Sequence, residues 1–197
     1  MVQGFIYLHN VLGCVHRDVK PGNVLMNSFG EIRISDFGIV AELASMSRNC
    51  MTFVGTTVYM SPERIDSMSY SYPGDIWSMG LALLFCAIGS PPIENTGGYF
   101  GIMNRILRHP PPTLRGRRSV SGEVFSDICV DFIDACLHKE PGQRATAREL
   151  LHHPFVASSL GTHATVPYWP KGLNICQLTT NTSDAIAAGT LQTNRQR

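Results

Sequence analysis

The 197-residue chain lacks the marks of several large protein classes. No C-x-x-C pair occurs, and the six cysteines (Cys14, Cys50, Cys86, Cys129, Cys136 and Cys176) do not alternate with histidines at zinc-ligand spacing, so they read as scattered reduced thiols. No long apolar run occurs either. The longest, Leu81 to Ile88, falls far short of the ~20 residues that cross a bilayer and reads as a core helix. Neither charge is in excess, and a net +1 makes no strong field to gather nucleic acid or an anionic membrane, so recognition is expected from local pockets. The opening Met1-Val2-Gln3-Gly4 carries no basic region and no apolar signal core, so export is not expected and a cytoplasmic location is. What remains is a chain 44% hydrophobic, long enough for one domain with a substantial core.

One stretch organises the rest. His16-Arg17-Asp18-Val19-Lys20-Pro21-Gly22-Asn23 is followed, thirteen positions after Asn23, by Asp36-Phe37-Gly38. Between them lie Val24-Leu25-Met26, the turn-forming Asn27-Ser28-Phe29-Gly30, and Ile32-Arg33-Ile34, which predict two brief strands around a turn. Such a hairpin gathers a carboxylate able to receive a hydroxyl proton (Asp18) and a cation able to meet a phosphate (Lys20). It adds two oxygen-bearing side chains able to hold Mg²⁺, Asn23 and Asp36. Either motif alone could be a solvated turn; the two in order at this spacing point to phosphoryl transfer.

Here the chain resembles the eukaryotic protein kinases, whose catalytic loop reads H-R-D-x-K-x-x-N and whose metal-binding loop reads D-F-G. The resemblance implies an α+β, mainly helical, protein-kinase-like fold in which the hairpin carries both loops. Kinases place roughly a hundred residues before this point: a small, mainly β lobe with a G-x-G-x-x-G loop, a strand lysine and a helix glutamate. None of these is found in the chain, and Gly97-Gly98-Tyr99-Phe100-Gly101 has the wrong place and spacing. The expectation is therefore the large C-terminal lobe alone over residues 1–156, followed by a disordered tail over 157–197, where Thr, Ser, Asn and Gly dominate and only Tyr168 and Trp169 suggest a contact. Ser61-Pro62-Glu63 stands in place of A-P-E. Together with Tyr59-Met60 before it, Arg64-Ile65 after it and Phe53-Val54-Gly55-Thr56 upstream, it is most similar to the MAP kinase kinases.

Other segments are legible as elements. Met1 to His9 suits the last turns of a helix entering the catalytic loop. A central helix is expected from Asp75, with Pro73 and Gly74 as the break before it and Ser90-Pro91-Pro92 ending it. Gly101 to Arg108 suggests a short helix, and the proline-rich, basic stretch from His109 to Gly122, with Arg115, Arg117 and Arg118, reads as a solvated loop or a docking surface for an acidic or phosphorylated partner. Phe125, Ile128, Cys129, Phe132, Ile133 and Cys136 form a buried helical stripe, Thr146 to Leu151 a last helix, and His152-His153 a cap and packing pair before Pro154-Phe155.

The resemblance also implies roles. Asp18 orients the substrate hydroxyl and accepts its proton, Lys20 balances charge on the phosphate of ATP, and Asn23 and Asp36 hold Mg²⁺. His16, Phe37 and Gly38 seat these loops, and Thr56 joins Asp18 and Lys20 beside the substrate. Asp75 either bonds the catalytic-loop backbone or simply caps its helix. Glu63 and Arg144 form a buried ion pair. Arg17 grips a phosphorylated activation segment in which Thr52 is one activating site and Ser47 or Ser45 the other. Ser/Thr and Tyr of a MAP kinase are the implied targets, a MAP kinase kinase kinase the implied activator, and the chain by itself is expected to be inactive. A non-catalytic decoy or another serine/threonine kinase group remain as alternatives.

Overall fold

Helix α1 (Val2–Ile6) runs on through a π turn at Tyr7–Val11, and a 3-10 turn at Pro21–Asn23 leads into antiparallel strands β1 (Val24–Met26) and β2 (Ile32–Ile34). Helices α2 (Pro62–Ser67), α3 (Tyr72–Ile88), α4 (Gly98–Arg108), α5 (Asp127–Cys136), α6 (Ala147–His152) and α7 (Pro154–Ala157) follow, with a 3-10 turn at Pro141–Gln143. The computed structural model describes residues 1–27, 29–36, 57–67, 69, 71–94 and 96–158. Phe37, Gly38, Ser45, Ser47, Thr52 and Thr56 lie outside the described residues, as does the expected tail from residue 159 onward.

The hairpin follows from its turn chemistry. Asn27 Oδ1 accepts from the backbone N–H groups of Phe29 and Glu31 at 3.0 and 2.9 Å, an Asx arrangement that folds the chain back. The strands then pair as Val24↔Ile34, Leu25↔Arg33 and Met26↔Ile32.

Helix α3 begins earlier than Pro73 and Gly74 suggest. Both sit inside its first turn, because Ser71 caps the helix by accepting the Gly74 N–H at 3.2 Å, and a first-turn proline forfeits no intrahelical bond. Gly89 closes the helix with φ 70 in the left-handed region, its N–H meeting the Phe85 carbonyl at 2.8 Å. Asp75 to Ala82, Leu84 and Phe85 are all buried, which makes α3 the axis of the core. Helix α5 packs on it so closely that a Cβ at Gly80 would lie 2.7 Å from Cys136 Cβ and 2.9 Å from Leu137 Cδ2.

The stripe expected on α5 needs correction. Ser126 caps this helix through the Cys129 N–H, so its buried residues are Val130, Phe132, Ile133 and Cys136. Ile128 is 49% exposed, since it lies in the first turn at the edge of that arc. Helix α6 opens on a capping box between Thr146 and Glu149 and packs against α1. His153 caps α7 by accepting the Phe155 N–H at 3.2 Å, faces Asp131 at 3.1 Å and stacks edge-on against Phe132. Cys14, Cys86, Cys129 and Cys136 are free thiols, and burial pushes that of Cys136 up to about 12 against a smaller pull from Arg144. Among the described residues no group of three His, Cys, Asp or Glu could hold a metal, and no helix is long and apolar enough to cross a membrane.

Candidate active site

The loop from His16 to Asn23 is hung on the buried carboxylate of Asp75. Its Oδ2 accepts the His16 N–H at 2.7 Å, and its Oδ1 accepts the Arg17 N–H at 3.0 Å. These two bonds hold Arg17 at φ 73, a left-handed conformation that a residue with a side chain does not adopt without support. The Arg17 carbonyl accepts from Arg64 Nη1 at 2.7 Å, which ties the same peptide to α2. Since Ser71 performs the capping of α3, Asp75 is not the cap. Its geometry serves the loop.

A residue not foreseen completes this anchor. His9, only 8% exposed, brings Nε2 to 2.9 Å from Asp75 Oδ2 and is flanked by the rings of Phe5 and Tyr72. The signal was available: His9 lies four residues after Phe5 on the apolar stripe of the entering helix, and a polar group on a buried face needs a partner. Arg64 and Ser35 are further contributors without a sequence cue.

Around Asp18 the hydrogen bonds divide its two oxygens. Oδ2 accepts from Lys20 Nζ at 2.8 Å and from Asn23 Nδ2 at 3.0 Å, while Oδ1 carries no hydrogen bond among the described residues. Asn23 Nδ2 also donates to the Asp18 carbonyl at 2.8 Å, and its Oδ1 carries no hydrogen bond among the described residues. His16 locks this loop to the hairpin: Nδ1 accepts the Asp18 N–H at 3.3 Å, and Nε2 donates to the Ser35 carbonyl at 3.0 Å. Ser35 in turn gives its N–H and its hydroxyl to the Asn23 carbonyl at 2.9 and 3.2 Å. Asp36, the next residue, is exposed at φ 58 with no hydrogen bond among the described residues.

The structure thus joins His16, Asp18, Lys20 and Asn23 in one network and delivers Asp36 from the end of β2, one residue past a double tie to Asn23. Among the described residues the Asn23 amide oxygen and the Asp36 carboxylate carry no hydrogen bond, and both are ligands of the kind a hard, oxygen-seeking divalent cation takes.

Glu63 and Arg144 stand apart from this network, beneath it in the frame. Arg144 donates from Nη1 to Glu63 Oε1 at 2.8 Å and from Nη2 to Glu63 Oε2 at 3.0 Å, a bidentate fork. Burial pushes the Glu63 carboxyl up, but the hydrogen bonds and charge of Arg144 outweigh it and hold the group below the ordinary carboxylate value. The guanidinium also donates to the carbonyls of Pro73, His138 and Lys139 and lies 5.2 Å over the Trp77 ring.

Comparison with known proteins agrees with this architecture. A family model described as the protein kinase domain matches residues 1–156. Mitogen-activated protein kinase kinase 3 of Arabidopsis thaliana is 50% identical over 156 residues, covering 79% of this chain and 29% of that protein. Mitogen-activated protein kinase kinase 1c of Physcomitrium patens is 41% identical over 162 residues (79% and 45%), and mitogen-activated protein kinase kinase SIPKK of Nicotiana tabacum 43% identical over 162 residues (79% and 44%). The chain spans less than half the length of these relatives. A loop hung on a buried carboxylate, a hairpin that presents two oxygen donors, and a family match across every described helix lead to one statement: the chain belongs to the protein kinase domain family, with MAP kinase kinases among its relatives.

Proposed function

We propose that this chain is the larger-lobe part of an ATP-dependent protein kinase of the MAP kinase kinase type. Its targets are Ser/Thr and Tyr side chains of a MAP kinase, and its activator is an upstream MAP kinase kinase kinase that phosphorylates Thr52 and either Ser47 or Ser45. The observation that carries this reading is the division of labour at Asp18. One oxygen is pinned by Lys20 and Asn23, and the other is left for a substrate hydroxyl.

Bound ATP would supply the transferable phosphoryl group, and a bound divalent cation, Mg²⁺ in this reading, would screen its charge. The chain's own residues do the rest by placement. Asp18 Oδ1 accepts the hydrogen of the incoming hydroxyl and fixes its direction of approach, and Oδ2 stays fixed because two donors hold it. Lys20 Nζ spends one of its three protons on Asp18 and keeps two for phosphate oxygens. Asn23 Oδ1 and the Asp36 carboxylate would hold the metal, and Arg17 would grip the phosphorylated segment. Glu63, Arg144, Asp75 and His16 position these groups. The location is cytoplasmic.

The test is phosphorylation of a MAP kinase by the native protein. Asp18→Asn should lower kcat by about 10²- to 10⁴-fold with little change in KM for the protein substrate, because it removes the base without altering shape. Undiminished turnover in that variant would sink the assignment. The 197 residues contain no glycine-rich phosphate-covering loop, so this stretch alone is proposed to have negligible turnover; robust phosphorylation by it would overturn that part.

A further inference from the structure

Between Glu94 and Glu123 the chain has no Asp or Glu but five arginines, Arg105, Arg108, Arg115, Arg117 and Arg118, although its net charge is only +1. The fold concentrates part of this charge. Arg105 and Arg108 are exposed on the last turn of α4, three residues apart and therefore on neighbouring faces. Lys139 reaches the same end, donating from Nζ to the Leu107 carbonyl at 2.9 Å. Burial, then the charges of Arg105 and Arg108, hold its ammonium below the ordinary lysine value, as expected of cations crowding one another.

Compensation is scarce. Arg115 lies 3.8 Å from Asp134 and Arg118 donates to the Gly122 carbonyl, yet no carboxylate pairs with Arg105, Arg108, Arg117 or Lys139 among the described residues. The carbonyl end of α4 favours cations through the helix dipole, which accounts for the two arginines of its last turn but not for a following loop free of acids.

Beside these cations runs a cleft lined by Trp77, Ile93, Arg105 and the Pro110-Pro111-Pro112 run. Trp77 is 1% exposed and its Nε1 has no hydrogen-bond partner among the described residues. We propose that this face is a docking surface for an acidic segment of a protein partner, whose carboxylates meet Arg105, Arg108, Lys139 and Arg117 while its backbone lies along the proline-walled cleft. Guanidinium groups bind carboxylates through paired hydrogen bonds, and cations crowded at one helix end suit a run of carboxylates. The chain's own tail is not the occupant: residues 159–197 contain one acid, Asp184, against Lys171, Arg195 and Arg197. The inference stands independently of the phosphoryl-transfer reading, since none of these residues belongs to the Asp18 network.

The test is fluorescence anisotropy on the native protein with a labelled peptide of consecutive glutamates. Saturable binding is expected, and Arg105→Glu with Arg108→Glu should weaken it by about tenfold or more, whereas Arg148→Glu, an exposed arginine on α6, leaves it unchanged. Arg108→Glu with Arg117→Glu, both exposed and off the cleft wall, repeats the test if melting shows the first pair misfolded. No binding, equal loss with Arg148→Glu, or no loss in a folded double variant would overturn the proposal. So would tighter binding of a neutral peptide carrying one phosphoserine, of an oligonucleotide or of an anionic vesicle.

Discussion

Helix α3 and the hairpin β1–β2 both position the candidate site, but they are built differently. Ten of the seventeen residues of α3 are buried, including Trp77, Met79, Leu81 and Leu84 at 1% exposure or less. The hairpin consists of two strands of three residues each, with Leu25, Phe29 and Ile32 at 45%, 88% and 45% exposure. Such a hairpin cannot be rigid through its own packing, since strands this short bury too little apolar surface. Its accuracy is borrowed. Asp75, rooted in α3, fixes the His16–Arg17 backbone, and His16 and Ser35 pass that position on to Asn23 and the approach to Asp36. A stable frame and an open rim are thus joined by few hydrogen bonds.

The comparison breaks first at the frame. Arg144→Met should destabilise the native protein by about 3–5 kcal/mol, because it removes the cation paired with the Glu63 carboxylate and the donor to three carbonyls. Urea unfolding midpoints measure this, and a loss below about 1 kcal/mol would mean the pair belongs with ordinary surface pairs. The same variant has a pH signature. Glu63 is depressed in the folded state, so the unfolded chain binds its proton more tightly, and the pair's contribution is whole above the ordinary carboxylate pKa. It is lost as pH falls through the depressed folded value. Acid should therefore narrow the gap between native protein and variant.

Asp75→Asn probes the join between frame and rim. An amide keeps the shape but has one acceptor oxygen where the carboxylate serves two N–H donors and His9. Losing bonds to a charged acceptor costs about 1.5–3 kcal/mol, so exchange of the His16 and Arg17 amides should quicken by about ten- to a hundredfold. Freed from its anchor, Arg17 should leave the left-handed region. The urea midpoint should move less than in Arg144→Met. Equal shifts in both variants would show that loop and frame unfold as one unit.

What could be read from the sequence follows the same division. The loop from His16 to Asn23 leading into a hairpin was legible because turn-forming residues separate two short apolar runs, and α3 because its apolar run leaves no polar face. Boundaries that depend on local competition were not. Pro73 and Gly74 read as a break until Ser71 proves to be the cap, and Ile128 read as core until Ser126 sets the phase of α5. The π turn at Tyr7–Val11 and the His9–Asp75 contact arise from tertiary packing across 66 positions, which no short window contains.

The smallest expected effect concerns the residue where the chain departs from the A-P-E pattern. Ser61 is 1% exposed, and its hydroxyl lies beside the Glu63 carboxylate, which it helps to hold below the ordinary carboxylate value. It lies in the frame, next to the Glu63–Arg144 fork, where a Cβ on Gly74 would come within 3.3 Å of its Oγ. A hydroxyl that helps to hold a carboxylate contributes as an ordinary intramolecular hydrogen bond does. Ser61→Ala should therefore lower the unfolding free energy by about 1 kcal/mol. Kinetics should stay unchanged, because Asp18 and its partners make no contact with this hydroxyl. A gain of similar size would instead show that the hydroxyl is buried without a partner, and the frame would then hold one polar link fewer.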